Sequence, residues 1–123
     1  ADIDLQTLNV NVDLLEDRRT PNTLAVIVVH YAGLPCDMES ICAWAEKHSI
    51  IVLEDCAHAH GSRINGQHVG TFGSIGCFSF CVGKIMSTGG EGGQVGVAVE
   101  GGGEPMDEEK MDTAGKAAFG ETD

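Results

Sequence analysis

The chain has 123 residues, 42% of them hydrophobic, with 19 acidic against 7 basic side chains and a formal net charge of −12. That length allows one small domain with a real core. The charge argues against nucleic acid, whose phosphates would be repelled, and against an anionic membrane surface.

No apolar run approaches the length of a membrane span, and the start lacks the basic-then-apolar layout of a signal peptide. A cytoplasmic location is the expectation. The five cysteines, Cys36, Cys42, Cys56, Cys77 and Cys81, form no CxxC pair. Most lie in apolar runs, which predicts small buried thiols kept reduced.

Ala1 to Asp4 is half-apolar and reads as the end of a strand whose neighbours lie upstream. Val12 to Arg18 reads as a short helix, with Asn11 as its cap and Thr20-Pro21-Asn22 as its terminator. Leu24 to Val29 is a continuous, largely β-branched run, the pattern of a strand covered on both faces. A loop from His30 to Cys36 leads to Asp37, which suits the cap of a helix running to about His48. Met38, Ile41, Cys42, Trp44 and Ala45 form its apolar face.

Ile50 to Leu53 is the next buried strand, so strand, helix and strand make a βαβ crossover with parallel strands. Asn65-Gly66 between polar residues predicts a tight turn. Cys77 to Phe80 and Gln94 to Val99 read as two more strands. From Glu100 to Asp123 there are eight acids, two lysines and the run Gly101-Gly102-Gly103, with little apolar material to bury. A flexible acidic tail over 100–123 is expected, with a frayed helix near Asp107 to Lys116. The fold class is α/β.

The chemistry concentrates where strands end. Ile50-Ile51-Val52-Leu53 delivers Glu54 and Asp55 into Cys56-Ala57-His58-Ala59-His60-Gly61, and Ser79 precedes Lys84 by five residues ahead of Gly89-Gly90-Glu91-Gly92-Gly93. A strand-end carboxylate, a hydroxyl and a lysine in a glycine-lined turn are what a pyridoxal phosphate site requires. The lysine supplies a Schiff base, and the aspartate keeps the pyridinium nitrogen protonated. Glu54 reads as a supporting ion-pair or loop partner.

Two other readings carry less. Cys56, His58 and His60 alternate, which in an extended segment would place them on one face, but they form an incomplete zinc site. The glycines after Thr88 lack both the P-loop Lys-Ser/Thr and the dinucleotide-binding spacing.

Four segments together carry a family resemblance: His30-Tyr31-Ala32-Gly33-Leu34-Pro35-Cys36-Asp37-Met38, Glu54 to Gly61, Cys77-Phe78-Ser79-Phe80 with Lys84, and Gly90-Glu91-Gly92-Gly93. In order and spacing they resemble the DegT/DnrJ/EryC1/StrS aminotransferases, fold-type I pyridoxal-phosphate enzymes that aminate keto sugars and keto cyclitols. The Cys-Ala-His-Ala-His-Gly variant is similar to that of the branch acting on scyllo-inosose and in related aminocyclitol or aminobenzoate chemistry.

The resemblance covers residues 1–99 and implies a segment of the large cofactor domain, a mostly parallel sheet flanked by helices. It implies that Lys84 holds the cofactor and moves the substrate proton, that Asp55 pairs with the pyridine nitrogen, and that Ser79 donates to the phosphate. His58 stands where many members carry glutamine, near the cofactor's phenolic oxygen. Related dehydratases carry histidine at the Schiff-base position, so Lys84 favours transamination.

The implied partners are a keto sugar or cyclitol, an amino-acid donor such as glutamate or glutamine, and a second subunit of a homodimer. The phosphate-gripping turn, the ring-stacking aromatic and the small domain have no counterpart here. A truncated segment, or a catalytically incomplete remnant serving as a binding module, are therefore both expectations.

Overall fold

The computed structural model describes residues 1–97. The expected strand up to Val99 is therefore described only to Val97, and the helix expected near Asp107 lies outside the described residues. The first strand, β1 (Ala25–Val29), follows from its run of β-branched side chains, whose stiff χ1 suits the pleated conformation. Helix α1 (Leu15–Arg18) precedes it, entered through a 3-10 turn at Val12–Leu14 that is capped by the Asn11 side chain accepting from the Asp13 amide. The expected helix is thus one short turn of each kind.

Helix α2 (Met38–His48) starts where Asp37 accepts from the Ser40 amide at 3.1 Å, and ends where Ser49 takes a left-handed conformation. Its inward stripe is Met38, Ile41 and Ala45, all buried. β2 (Ile51–Asp55) then pairs parallel with β1, from Ala25↔Ile51 to Val29↔Asp55. The predicted βαβ unit is present.

The chain next forms a small hairpin, β3 (Arg63–Ile64) and β4 (Gln67–His68). Asn65 and Gly66 both have positive φ, 50° and 87°, as a two-residue turn between strands demands. β5 (Ile75–Ser79) returns parallel to β2, and β6 (Gly93–Val97) closes antiparallel on β5. The sheet order is β1-β2-β5-β6.

One core cluster joins α1, α2 and one face of the sheet through Leu15, Met38, Ile41, Val28 and Val52. A second, of Cys56, Ala59 and Val69, lies under the hairpin. Both α2 and the connection from β2 to β5 pack on that same face. The opposite face is open among the described residues: Ile27 is 66% exposed and Val95 50%. This corrects the expectation that β1 is covered on both faces. A continuous apolar strand shows that both faces need cover, but one crossover helix supplies only one of them.

The N-terminal strand is corrected too. Ile3 makes a single antiparallel bridge to Val10, and between them the Asp4 carboxylate accepts from the Gln6 and Thr7 amides. The observed pairing of these residues is local, a turn closed by one bridge. All five cysteines are free thiols, with Cys36 and Cys56 fully buried and the others half-buried.

Ile41 is fully buried between the helix and the sheet. Ile41→Val is expected to lower stability by about 1 kcal/mol without changing secondary structure. The urea midpoint checks the first expectation and far-ultraviolet circular dichroism the second.

Candidate active site

The carboxyl ends of β1, β2 and β5 lie side by side, and in an open parallel sheet that edge is where ligands are held. Side chains alternate along β2, so neighbouring residues face opposite ways. Glu54 turns into the core and is fully buried, whereas Asp55 turns to the open face and is half-buried. Register pairs Asp55 with Cys77, which puts Asp55, Cys77 and Ser79 on the same face.

One Asp55 oxygen accepts from the Ala57 amide at 3.0 Å. Ser79 Oγ is 3.5 Å from the Cys81 amide, a long contact that leaves the hydroxyl available. Beyond β5 the chain loops back on itself, with the Phe80 amide donating to the Gly92 carbonyl at 2.7 Å and the Thr88 amide to the Phe80 carbonyl at 3.2 Å. Gly83 and Gly89 take positive φ in this loop, a conformation that costs glycine little. Lys84, half-buried, sits in its first turn.

Lys84 lines a recess of about 380 Å³ together with His58, Ala57, Ala32, Val82 and Ile85. Of the residues singled out from sequence, Lys84 and His58 therefore share one cavity. Asp55 and Ser79 lie outside its lining, on the adjoining open face. Asn9, which sequence reasoning missed, holds the near wall. It is buried, accepts from the Tyr31 amide at 3.0 Å, and donates to the Leu34 and Pro35 carbonyls at 3.0 and 3.1 Å. Gly33 lies against the His58 carbonyl, where a Cβ would stand 3.1 Å from the oxygen.

These groups suit pyridoxal phosphate in kind. No carboxylate pairs with Lys84 and no cation pairs with Asp55 among the described residues. An amine facing a cavity, a carboxylate with a spare oxygen and a strand-end hydroxyl match an aldehyde, a ring nitrogen and a phosphate in turn. Among the described residues singled out here, Ser79 alone offers the phosphate a donor. The first turn of α2 is already occupied by the Asp37 carboxylate, which excludes an anion.

The Glu54 carboxylate is the best-satisfied polar group near the site. Its Oε1 accepts from the Phe72 and Gly73 amides at 2.8 and 2.6 Å, and its Oε2 from the Gly70 amide at 2.7 Å. His30 Nε2 lies 3.0 Å from Oε2. The Cys36 amide donates to His30 Nδ1, so the proton resides on Nε2 and is donated to Glu54. The sequence reading of Glu54 as a supporting partner holds. His30 was missed, although a histidine just past β1 beside a glutamate near the end of β2 was a usable signal.

Cys56, His58 and His60 do not share a face, because residues 56–60 turn rather than extend. Cys56 is buried, His58 is in the recess, and His60 lies 5.7 and 5.4 Å from the Phe78 and Phe80 rings. A different trio, His30, Glu54 and Cys56, is close enough to ligate a metal. Its hydrogen bonds oppose that use. Nε2 is protonated, and Glu54 is saturated with donors. Burial, then the charges of Glu54 and Asp55, pushes the Cys56 thiol up to about 12.

Two outcomes follow from these environments. Burial pulls the Glu54 carboxyl upward, but the His30 bond and then the Gly73, Gly70 and Phe72 amides outweigh it and hold the group below 4.5. A carboxyl lowered by folding stabilises fully above its unfolded value, near 4.5, and that contribution is lost as pH falls through the lower folded value. In urea titrations from about pH 6 down to about pH 3, Glu54→Gln should begin about 2 kcal/mol less stable and decline less steeply than the parent. Burial also lifts Cys36 to about 11. Iodoacetamide should therefore leave Cys36 and Cys56 unmodified in the folded chain and label them only in urea, as peptide mapping will read.

Comparison with known proteins gives the family. Residues 1–100 match the DegT/DnrJ/EryC1/StrS aminotransferase family. The chain is 48% identical over 95 residues to a UDP-N-acetyl-3-dehydro-alpha-D-glucosamine 3-aminotransferase of Acidithiobacillus ferrooxidans, covering 77% of this chain and 26% of that protein. It is 45% identical over 95 residues to the L-glutamine:2-deoxy-scyllo-inosose aminotransferase of Micromonospora echinospora, covering 77% and 22%. Among solved structures, the PLP form of a putative sugar aminotransferase from Streptococcus pneumoniae superposes with a TM-score of 0.75 at 29% identity, over 92% of this chain and 32% of that one. The chain thus spans about a quarter of the length of the curated relatives it matches. Aminotransferases of this family use pyridoxal phosphate, and the chain belongs to the DegT/DnrJ/EryC1/StrS family.

Proposed function

We propose that this chain contributes the lysine-bearing part of a pyridoxal-phosphate aminotransferase that moves an amino group from glutamate or glutamine to a keto sugar or keto cyclitol. The observation that carries the proposal is Lys84, without an ionic partner among the described residues, facing a recess with His58 beside the strand that ends in Asp55. When bound, the cofactor supplies an electron sink for the carbon that carries the amino group. The names of the two curated relatives support the acceptor class, one a dehydro sugar and the other an inosose.

Lys84 would hold the cofactor through its amine and would serve as the base that carries a proton to and from the substrate carbon. Its place in a hydrogen-bonded turn fixes the start of its side chain, because its own amide donates to the Cys81 carbonyl at 3.0 Å. Asp55 offers its unbonded oxygen to the ring nitrogen and keeps that nitrogen protonated. Ser79 donates its hydroxyl proton to a phosphate oxygen. His58, exposed at the recess, offers an imidazole N–H toward the phenolic oxygen.

In this reading residues 1–99 are the cofactor-domain segment and 100–123 an acidic stretch. The working protein is a cytoplasmic homodimer in this reading, the second subunit completing the site. No helix among the described residues is long and apolar enough to cross a membrane. A second reading, a non-catalytic binding module, is favoured by the open sheet face and by the single hydroxyl available to the phosphate.

Pyridoxal phosphate added to the purified chain should give a visible band that borohydride fixes onto Lys84, with the label located by peptide mapping. Lys84→Ala should abolish the band, and Ser79→Ala should raise the half-saturating concentration about fivefold. Labelling scattered over Lys47, Lys110 and Lys116 would reject the proposed site. Conversion of the bound cofactor to its amine form by glutamate or glutamine would reject the binding-module reading.

A further inference from the structure

Glu54 is a fully buried carboxylate that the proposed chemistry leaves unused. Three of its four donors, the amides of Gly70, Phe72 and Gly73, belong to the connection that enters β5. β5 ends at Ser79 and runs on into the loop of Lys84, while Asp55 follows Glu54 in β2. One side chain of β2 thus grips the entry to β5 from the core side, and the next faces the site.

The direct join between these strands is short. β2 and β5 share three register pairs, against five between β1 and β2, and the residue opposite Glu54 is Gly76, which brings no side chain. The backbone bonds beyond the register are Cys56 amide to Cys77 carbonyl and Ser74 amide to Val52 carbonyl, each 2.8 Å. A carboxylate that takes both the 72–73 amides and the Gly70 amide limits how far β5 can slide along β2.

We infer that Glu54 is a positioning residue, whose carboxylate sets the stagger of β5 against β2 and so the placement of Ser79 and Lys84 relative to Asp55. The inference rests on the function proposed above. An amide cannot replace the carboxylate. Its NH2 would face either the Phe72 and Gly73 N–H groups or those of Gly70 and His30, and in both orientations a bond to the entry of β5 is lost. His30 cannot relieve this by shifting its proton, because Nδ1 already accepts from Cys36.

The test compares the full chain with Glu54→Gln and with the remote core variant Ile41→Val, by amide hydrogen exchange and by borohydride trapping of pyridoxal phosphate. In Glu54→Gln, exchange at Cys56 and Ser74, which join β2 to β5, should quicken at least about tenfold more than at Ile51, which joins β2 to the start of β1. The cofactor concentration for half-trapping on Lys84 should rise at least about tenfold, and Ile41→Val should leave it unchanged.

Equal quickening at all three amides overturns the inference, since that is mere loss of global stability. Local quickening with unchanged trapping overturns it as well. Absence of any Lys84 adduct in the parent chain overturns the proposed function and the role of Glu54 with it, whereas uniform exchange overturns the role alone. Should Glu54→Gln not fold, Gly73→Ala asks the same question with the carboxylate intact. A Cβ there would lie 2.7 Å from the Val52 carbonyl oxygen and 2.9 Å from its Cγ1, so the loop must lift away from Glu54. The same pair of local effects is expected, and the same outcomes overturn it.

Discussion

A carboxylate with no access to water must find its donors within the protein, and the Glu54 side chain meets that demand with one imidazole and three backbone amides. Much of the described architecture near the site follows from this requirement. The loop after β1 has to bring His30 inward, and the long return from β2 has to pass beneath the strand rather than out into solvent. The second core cluster, Cys56, Ala59 and Val69, fills the space which that return leaves. Buried polar networks of this kind are costly when incomplete, so each donor constrains the chain that carries it.

Two-residue alternation turns that internal constraint into a functional one. Because Glu54 must point inward, Asp55 must point the other way, onto the face where Cys77 and Ser79 also stand. The Glu-Asp pair therefore works as a unit, one carboxylate spent on holding strands and the other left with a spare oxygen. A slip of one residue would exchange their positions, turning Glu54 away from its four donors and putting the shorter Asp55 carboxylate into the core.

The open sheet face is the complementary constraint. A parallel sheet is stable when both faces are covered, and among the described residues α2 and the β2–β5 connection cover one. Ile27, Val29 and Val95 remain exposed on the other, next to Asp55. The curated relatives are about four times as long as the stretch they share with this chain. Apolar cover for that face would exclude water from the side on which Asp55 and Ser79 stand, which strengthens their interactions with any bound charge.

Local chemistry was legible in the residues themselves. Asp37 announced its helix, the β-branched run of β1 its strand, and Asn65-Gly66 its turn, because each depends on groups within a few positions of one another. Lys84, Asp55, Ser79 and His58 were singled out through motif order, which also carried the family resemblance. The His30–Glu54 bond, the Asn9 brace and the single covered face were not found, since each joins or omits segments far apart in the chain. The turn at residues 56–60 defeated a pattern reading for a similar reason: alternation means one face only when the backbone is extended, and tertiary packing bent it. By itself the sequence determined the family resemblance, the side chains proposed for chemistry and the elements that hold them. Only the tertiary structure decided which way each carboxylate points, because burial on one face of the sheet is settled by the layers that pack against it.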